Sequence, residues 1–180
     1  MLGRAKKVEV TRTVLELADI DDLRPPEHPP QRDFELERVS DPAANRWFYE
    51  HVGADWGWTD RLEWTDAQWE SWEQRVETWA IVVDGERVGY FELEPAAGSV
   101  GQVTLAYFGI LSSFHGLGIG GHALTAALRR GFELEPDITR VLVSTNTLDG
   151  PHALANYRAR GMRIVRSMLE RRLGRAPDRR

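Results

Sequence analysis

Cysteine is absent from the 180 residues, which excludes a disulfide framework, thiol nucleophiles and cysteine-ligated zinc. Lysine is almost absent as well, with Lys6 and Lys7 the only two. No apolar run is long enough to span a bilayer, mean hydropathy is -0.44, and charges within residues 1–10 interrupt what a secretory leader would need as an apolar core. His28, His51, His115, His122 and His152 show no ligand spacing, so no metal is expected. The chain reads as a cytoplasmic protein with no membrane partner. A net charge of -5, from 23 basic and 28 acidic residues, argues against nucleic acid, because phosphate binding wants a basic surface. The charge is uneven, since residues 158–180 hold nine arginines against Glu170 and Asp178.

What is present is a globular composition, 42% hydrophobic and 28% charged, in a chain of single-domain size. Residues 8–17 read as a β run. Four prolines among residues 25–30 then form a stiff loop that can join neither a helix nor a central strand. Residues 34–39 alternate as a strand, and Ser40-Asp41-Pro42 opens a helix near 41–52. Thr65-Asp66-Ala67-Gln68 has capping-box spacing, and Trp69, Trp72 and Val76 fall on one stripe of a helix over 66–76. Asp84-Gly85 marks a hairpin between strands 79–83 and 87–94. A strand over 103–110, a helix over 118–130 capped by Gly131, a strand over 140–145, a helix over 151–160 and a strand over 162–172 complete the pattern.

The segment with chemical content is Tyr-Phe-Gly-Ile-Leu-Ser-Ser-Phe-His-Gly-Leu-Gly-Ile-Gly-Gly over residues 107–121. A strand passes through a short turn into a glycine-rich helix start. There the free backbone N–H groups and the helix dipole favour an anion, and glycines let it approach the backbone. A P-loop is excluded because no lysine follows the glycines. Gly116-x-Gly118-x-x-Gly121 fits a dinucleotide fingerprint literally, but too little chain follows for such a fold. Glycines that merely pack a helix against a sheet remain an alternative.

His115-Gly116-Leu117-Gly118-Ile119-Gly120 resembles the Arg/Gln-x-x-Gly-x-Gly/Ala loop of the GNAT superfamily of acyl-CoA N-acyltransferases, with His in the first position. Asn146, Ala153, Tyr157 and Gly161-Met162 resemble the same family's second block, with the Asn-to-Ala interval lengthened by residues 148–152. The segment 56–61 and the run 146–153 are also similar to a bacterial subgroup of that family. The resemblance implies an α/β fold with a mixed, mostly antiparallel sheet of six or seven strands flanked by about four helices. It implies an acyl-CoA N-acyltransferase domain over 34–172. Residues 1–33 would pack on or flank that domain, and 173–180 would form a basic tail without order.

The resemblance further implies acetyl-CoA as co-substrate. Its cradle would be Phe108, Gly109 and Ile110 on a splayed strand, then His115, Gly116, Leu117, Gly118, Ile119, Gly120 and Gly121, with Asn146 and Asn156 beyond. Tyr157 matches the family's general acid. The strand before the loop carries no carboxylate, so Glu92, which shares a strand face with Tyr90 and Glu94, is the candidate base. All seven tryptophans lie between residues 47 and 79, and Trp56, Trp58, Asp60 and Arg61 are the candidate acceptor wall. The acceptor would be a small-molecule or peptide amine, and the resemblance leaves room for a homodimer. The alternative is a non-catalytic acyl-CoA-binding or regulatory domain.

Overall fold

The computed structural model describes residues 6–174. In chain order the elements are β1 (Lys6–Leu17), β2 (Glu35–Val39), α1 (Pro42–Val52), α2 (Asp66–Glu73), β3 (Glu77–Val83), β4 (Glu86–Pro95), β5 (Gln102–Ile110), α3 (Ile119–Glu133), β6 (Arg140–Asn146), α4 (Ala153–Ala159) and β7 (Arg163–Gly174). The strands form one sheet in the order β2-β3-β4-β5-β6-β1-β7. Every pairing is antiparallel except that of β5 with β6.

Local chemistry accounts for most of the boundaries. Asp84 and Gly85 both take positive φ, 51° and 81°, so the two-residue turn twists in the sense that the β3–β4 hairpin needs. The Asp41 carboxylate accepts the Ala43 N–H at 2.9 Å, with Pro42 opening α1. Thr65 and Gln68 close a capping box on α2. Strand alternation then sorts β4. Phe91 and Leu93 join a core beneath α3 with Leu105, Leu124 and Leu128, while Tyr90 and Glu92 face α1 and α2 on the other side. Each fully buried side chain of this kind contributes about 1.5–3 kcal/mol.

Five expectations are corrected. β1 does not flank the domain, because its residues pair with β6 on one side and β7 on the other. Gly131 does not cap α3, which continues to Glu133. Its missing side chain serves close packing instead, since a Cβ there would lie 2.8 Å from Val141 Cγ2. α2 ends at Glu73 and α4 begins at Ala153, both shorter than their sequence patterns. Leu173 and Gly174 belong to β7, while residues 175–180 of the expected tail lie outside the described residues.

Candidate functional site

β5 and β6 pair in parallel only as far as Leu105 opposite Val143. The cause lies on the other edge of β5, where Glu92 faces Tyr107 and Leu93 faces Leu105. Ala106 is therefore an extra residue, and the resulting bulge bends the strand away from β6. Residues 106–110 and 144–146 diverge, and a cleft of about 1890 Å³ opens between them. That exceeds the roughly 300–1,000 Å³ of an ordinary ligand pocket and suits a long substrate together with a second one.

The glycine loop forms one end of this cleft. Gly116 and Gly118 take φ of 80° and 73°, in the left-handed region, and a Cβ on Gly116 would meet nothing within 4 Å. Among the described residues no side chain caps the start of α3, so its first-turn N–H groups face the opening. The His115 Nε2–H donates to the Ile110 carbonyl at 2.8 Å, and its ring stacks on Trp56 at 5.7 Å. Gly89 and Ile110 form a non-hydrogen-bonded pair, as the bond from Leu111 N–H to Val88 O shows. The Ile110 N–H consequently points away from β4 into the splay, and so does that of Phe108.

Phe108, Gly109, Ile110, His115, Gly116, Gly118, Ile119, Gly120 and Gly121 all line the cleft. Leu117 does not: it packs with Ile110 and Ile119 in the core, and its carbonyl accepts the Gln31 N–H at 2.9 Å. Asn146 and Asn156 line the cleft as well, but the Asn146 amide is committed to its own loop. It donates to Asp149 at 3.3 Å and accepts the Leu148 N–H at 2.8 Å. Tyr157 lines the wall with its ring in the core under α3. Burial, reinforced by the Asp149 carboxylate, pushes its phenol well above the usual range, so the hydroxyl keeps its proton at neutral pH.

Of the residues expected to form an acceptor wall, Trp56, Trp58 and Asp60 reach the cleft beside Tyr49 and Tyr107. Arg61 does not, because its guanidinium is enclosed between α2 and β5 with Trp72 at 3.7 Å, Trp64 at 4.4 Å and Tyr107 at 4.5 Å. Glu92 also stands outside the cleft. It is 1% exposed and accepts from Asn45 Nδ2 at 2.6 Å and Trp72 Nε1 at 2.8 Å, with Arg61 Nη1 at 4.0 Å. Burial raises its carboxyl above the usual value, against the pull of Asn45, Arg61 and Trp72. The expected roles of Arg61 as an acceptor contact and of Glu92 as a base facing the cleft therefore do not match their positions.

Two arginines escaped the sequence reading. Arg12 on β1 lines the cleft and donates to Ser144 Oγ at 2.7 Å, a location visible only once β1 is inside the sheet. Arg160, at the end of α4, lies against Gly121 in the first turn of α3, and its buried Nε has no partner among the described residues. Arg160 does not itself line the cleft, so the groups there that fit a phosphate-bearing cofactor are the open first-turn N–H groups of α3.

A sheet opened beside a glycine-lined helix start is the arrangement that the acyltransferase resemblance implies. Residues 21–162 match the acetyltransferase (GNAT) family, and the chain belongs to that family. None of the curated proteins matches it in sequence. Among solved structures, a GCN5-related N-acetyltransferase from Kribbella flavida shares 21% identity over 87% of this chain and 55% of its own, with a TM-score of 0.61. One from Sphaerobacter thermophilus shares 18% identity over 94% of this chain and 52% of its own, with a TM-score of 0.62. An IAA acetyltransferase from Bacillus cereus shares 19% identity over 70% of this chain and 74% of its own, with a TM-score of 0.52. The chain spans little more than half the length of the first two, and at these identities the likeness concerns the fold. Among the described residues no helix is long and apolar enough to cross a membrane.

Proposed function

We propose that the protein transfers an acetyl group from acetyl-CoA to a primary amine by direct attack within a ternary complex. The observation that carries this is the opening of β5 from β6 onto the glycine loop, with the protonated Tyr157 on the cleft wall. The first turn of α3 would hold the cofactor phosphates, and the N–H groups of Phe108 and Ile110 would face the rest of the cofactor. The Ile110 N–H, turned away from β4 into the splay, would polarise the thioester carbonyl.

In the reaction the neutral amine nitrogen attacks the carbonyl carbon, the C–N bond forms and the C–S bond breaks. The Tyr157 hydroxyl gives its proton to the departing thiolate, and solvent restores it. Solvent in the open cleft also takes the proton that the nitrogen must lose once the C–N bond has formed, since Asn45 and Trp72 wall off Glu92. Tyr49, Trp58 and Tyr107, with Asp55 and Asp60 on the exposed rim, offer the amine an aromatic and acidic approach. A chain without cysteine and without a transmembrane helix among its described residues suits a reducing cytoplasm.

Calorimetric titration with acetyl-CoA, with NADH as control ligand, tests donor binding before any acceptor is known. Micromolar binding of acetyl-CoA alone is expected, and no binding by well-folded protein would overturn the reading. A panel of primary amines assayed by thiol release then tests transfer, free of protein thiol background. Tyr157→Phe should lower kcat by about 10²- to 10⁴-fold with acetyl-CoA affinity unchanged. Binding without transfer to any amine would favour a domain that binds acyl-CoA without using it.

A further inference from the structure

The loop between α1 and α2 carries the acceptor wall, yet it has little regular structure of its own. After the 3-10 turn Gly53–Trp56 the chain reverses at Gly57 with a φ of 66°, and backbone bonds such as Trp58 N–H to Gly53 O and Trp64 N–H to Arg61 O are short-range. Something other than backbone pairing must set where Trp58 and Asp60 stand. Arg61 lies inside this loop with its side chain 12% exposed, beneath the rings whose other sides border the cleft.

The geometry points to Arg61 as a positioning residue for the amine-binding half of the cleft, its planar cation tying together the rings of Tyr49, Tyr107, Trp64 and Trp72. The guanidinium carbon is 3.7 Å from the Trp72 ring centroid, 4.4 Å from Trp64, 4.5 Å from Tyr107 and 6.0 Å from Tyr49. Its backbone N–H donates to the Tyr49 hydroxyl at 3.1 Å, so both the main chain and the side chain of one residue hold Tyr49. Trp58 meets the clamped Tyr107 edge to face at 4.8 Å, which passes the restraint to the exposed wall.

Charge makes the clamp specific for arginine. Glu92 Oε2, at 4.0 Å from Nη1, is near enough to balance the cation but too far for a hydrogen bond, and Nη1 has no other partner among the described residues. The Glu92 charge and the surrounding rings therefore hold the guanidinium in place together, the rings supplying the directional contact. A lysine would keep the charge and lose the flat face that stacks between rings. The ring and ion contacts of Arg61 reach β5 only at Tyr107, whereas the cofactor cradle is built by residues 108–110 at the end of that strand and by the start of α3.

This inference rests on the N-acyltransferase reading, and its test keeps the two separable. Arg61→Met preserves much of the volume and removes the cation. Hydrogen exchange read by mass spectrometry should speed up in residues 53–64 and stay unchanged in β1, β6 and β7, whether or not an acceptor has been found. With tyramine, spermidine and free lysine as probe amines, KM for any that wild type acetylates should rise about tenfold or more while kcat holds within about threefold. The acetyl-CoA Kd should stay within about twofold of wild type, and Arg61→Lys should fall between Met and wild type. Unchanged exchange in residues 53–64 would overturn the inference. So would a joint loss of acetyl-CoA affinity and exchange protection throughout the sheet, which would mark Arg61 as a residue of general stability. Failure of wild type to acetylate any probe counts against the enzyme reading alone, because the exchange result still decides the clamp.

Discussion

Replacing Glu92 with alanine is expected to destabilise the fold by about 4 kcal/mol, within the range of roughly 3–5 kcal/mol for breaking a buried ion pair. The structure supplies the components. The carboxylate is 1% exposed, accepts from Asn45 Nδ2 and Trp72 Nε1, and faces Arg61 Nη1 at 4.0 Å. After truncation Asn45 still has Thr78 Oγ1 at 2.7 Å, but the Trp72 N–H is left without an acceptor and Arg61 without a counter-charge. For a chain of this length each kcal/mol shifts Tm by roughly 2–4 °C, so Tm should fall by about 8–16 °C. Glu94→Ala is the control, since Glu94 pairs with a largely exposed Arg75 at the surface and should cost no more than about 1 kcal/mol. The assay is denaturant unfolding followed by circular dichroism and tryptophan fluorescence, with m unchanged as the check on two-state behaviour. Adding Arg61→Met to Glu92→Ala should cost less than the sum of the single changes, because the stranded cation is gone. If Glu92→Ala proved no more destabilising than Glu94→Ala, the assignment of Glu92 as a buried structural counter-ion would be refuted.

Gly118→Ala should weaken acetyl-CoA binding about tenfold in calorimetry, because the alanine must hold a φ of 73° at a cost of about 1–2 kcal/mol while its Cβ approaches Pro30 Cα at 3.4 Å. Gly98→Ala, at a φ of 79° in open space in the β4–β5 turn, should carry a similar backbone cost and leave the acetyl-CoA Kd alone. Glu77 offers a pH test. Burial raises its carboxyl, but the hydrogen bonds from Arg130 and Trp79 and the charges of Arg130 and Arg38 outweigh this and hold it below its ordinary 4.5. The unfolded chain therefore takes up this proton first on acidification, so the stability from Glu77 is complete above pH 4.5 and is lost as pH falls through the folded-state value. Glu77→Gln should lower Tm at pH 7, and calorimetric scans should show the gap to wild type closing towards pH 3. A gap independent of pH would contradict the ion-pair account.

The sequence made legible those features whose cause is local. The Asp84-Gly85 turn, the Thr65–Gln68 box and the glycines before α3 each act through their own backbone torsions or through neighbours a few residues away, and all stand where their patterns put them. Position within the sheet was not legible. The run over β1 has the same alternation whether it lies at an edge or between β6 and β7, and only pairing with segments more than a hundred residues away decides which. Arg61 and Glu92 were misplaced for a related reason. A charged residue in a loop or near a strand end is ordinarily solvated, and nothing within a few residues of either shows that four aromatic rings from three parts of the chain will converge on the guanidinium. Gly131 misled because a glycine near a helix end has two uses, a left-handed cap or a close approach, and the identity of Val141 across the interface decides between them.

The proline-rich loop, silent as chemistry in the sequence, braces the glycine-loop side of the cleft. It returns to the molecule at three points: Arg24 N–H bonds to Arg160 O at 3.1 Å, Gln31 N–H to Leu117 O at 2.9 Å, and His122 Nε2–H to His28 O at 2.8 Å. These ties reach the end of α4, the glycine loop and the first turn of α3, the elements that surround the phosphate cradle. Prolines restrict the unfolded chain as much as the folded one, so holding this loop in place costs less conformational entropy than a flexible segment would. Pro30 also lies against Gly118 and Pro26 near the space beside Gly121, so the loop supports from outside the backbone that must stay open towards an anion. The two halves of the cleft are thus made rigid by different means. Hydrogen bonds from a stiff loop brace the glycine-loop side, where the backbone N–H groups are open, and a caged cation braces the side walled by Trp58 and Tyr107, where the contact surface is aromatic. Because the two braces share no residue, the affinities for donor and acceptor are open to separate adjustment by substitution.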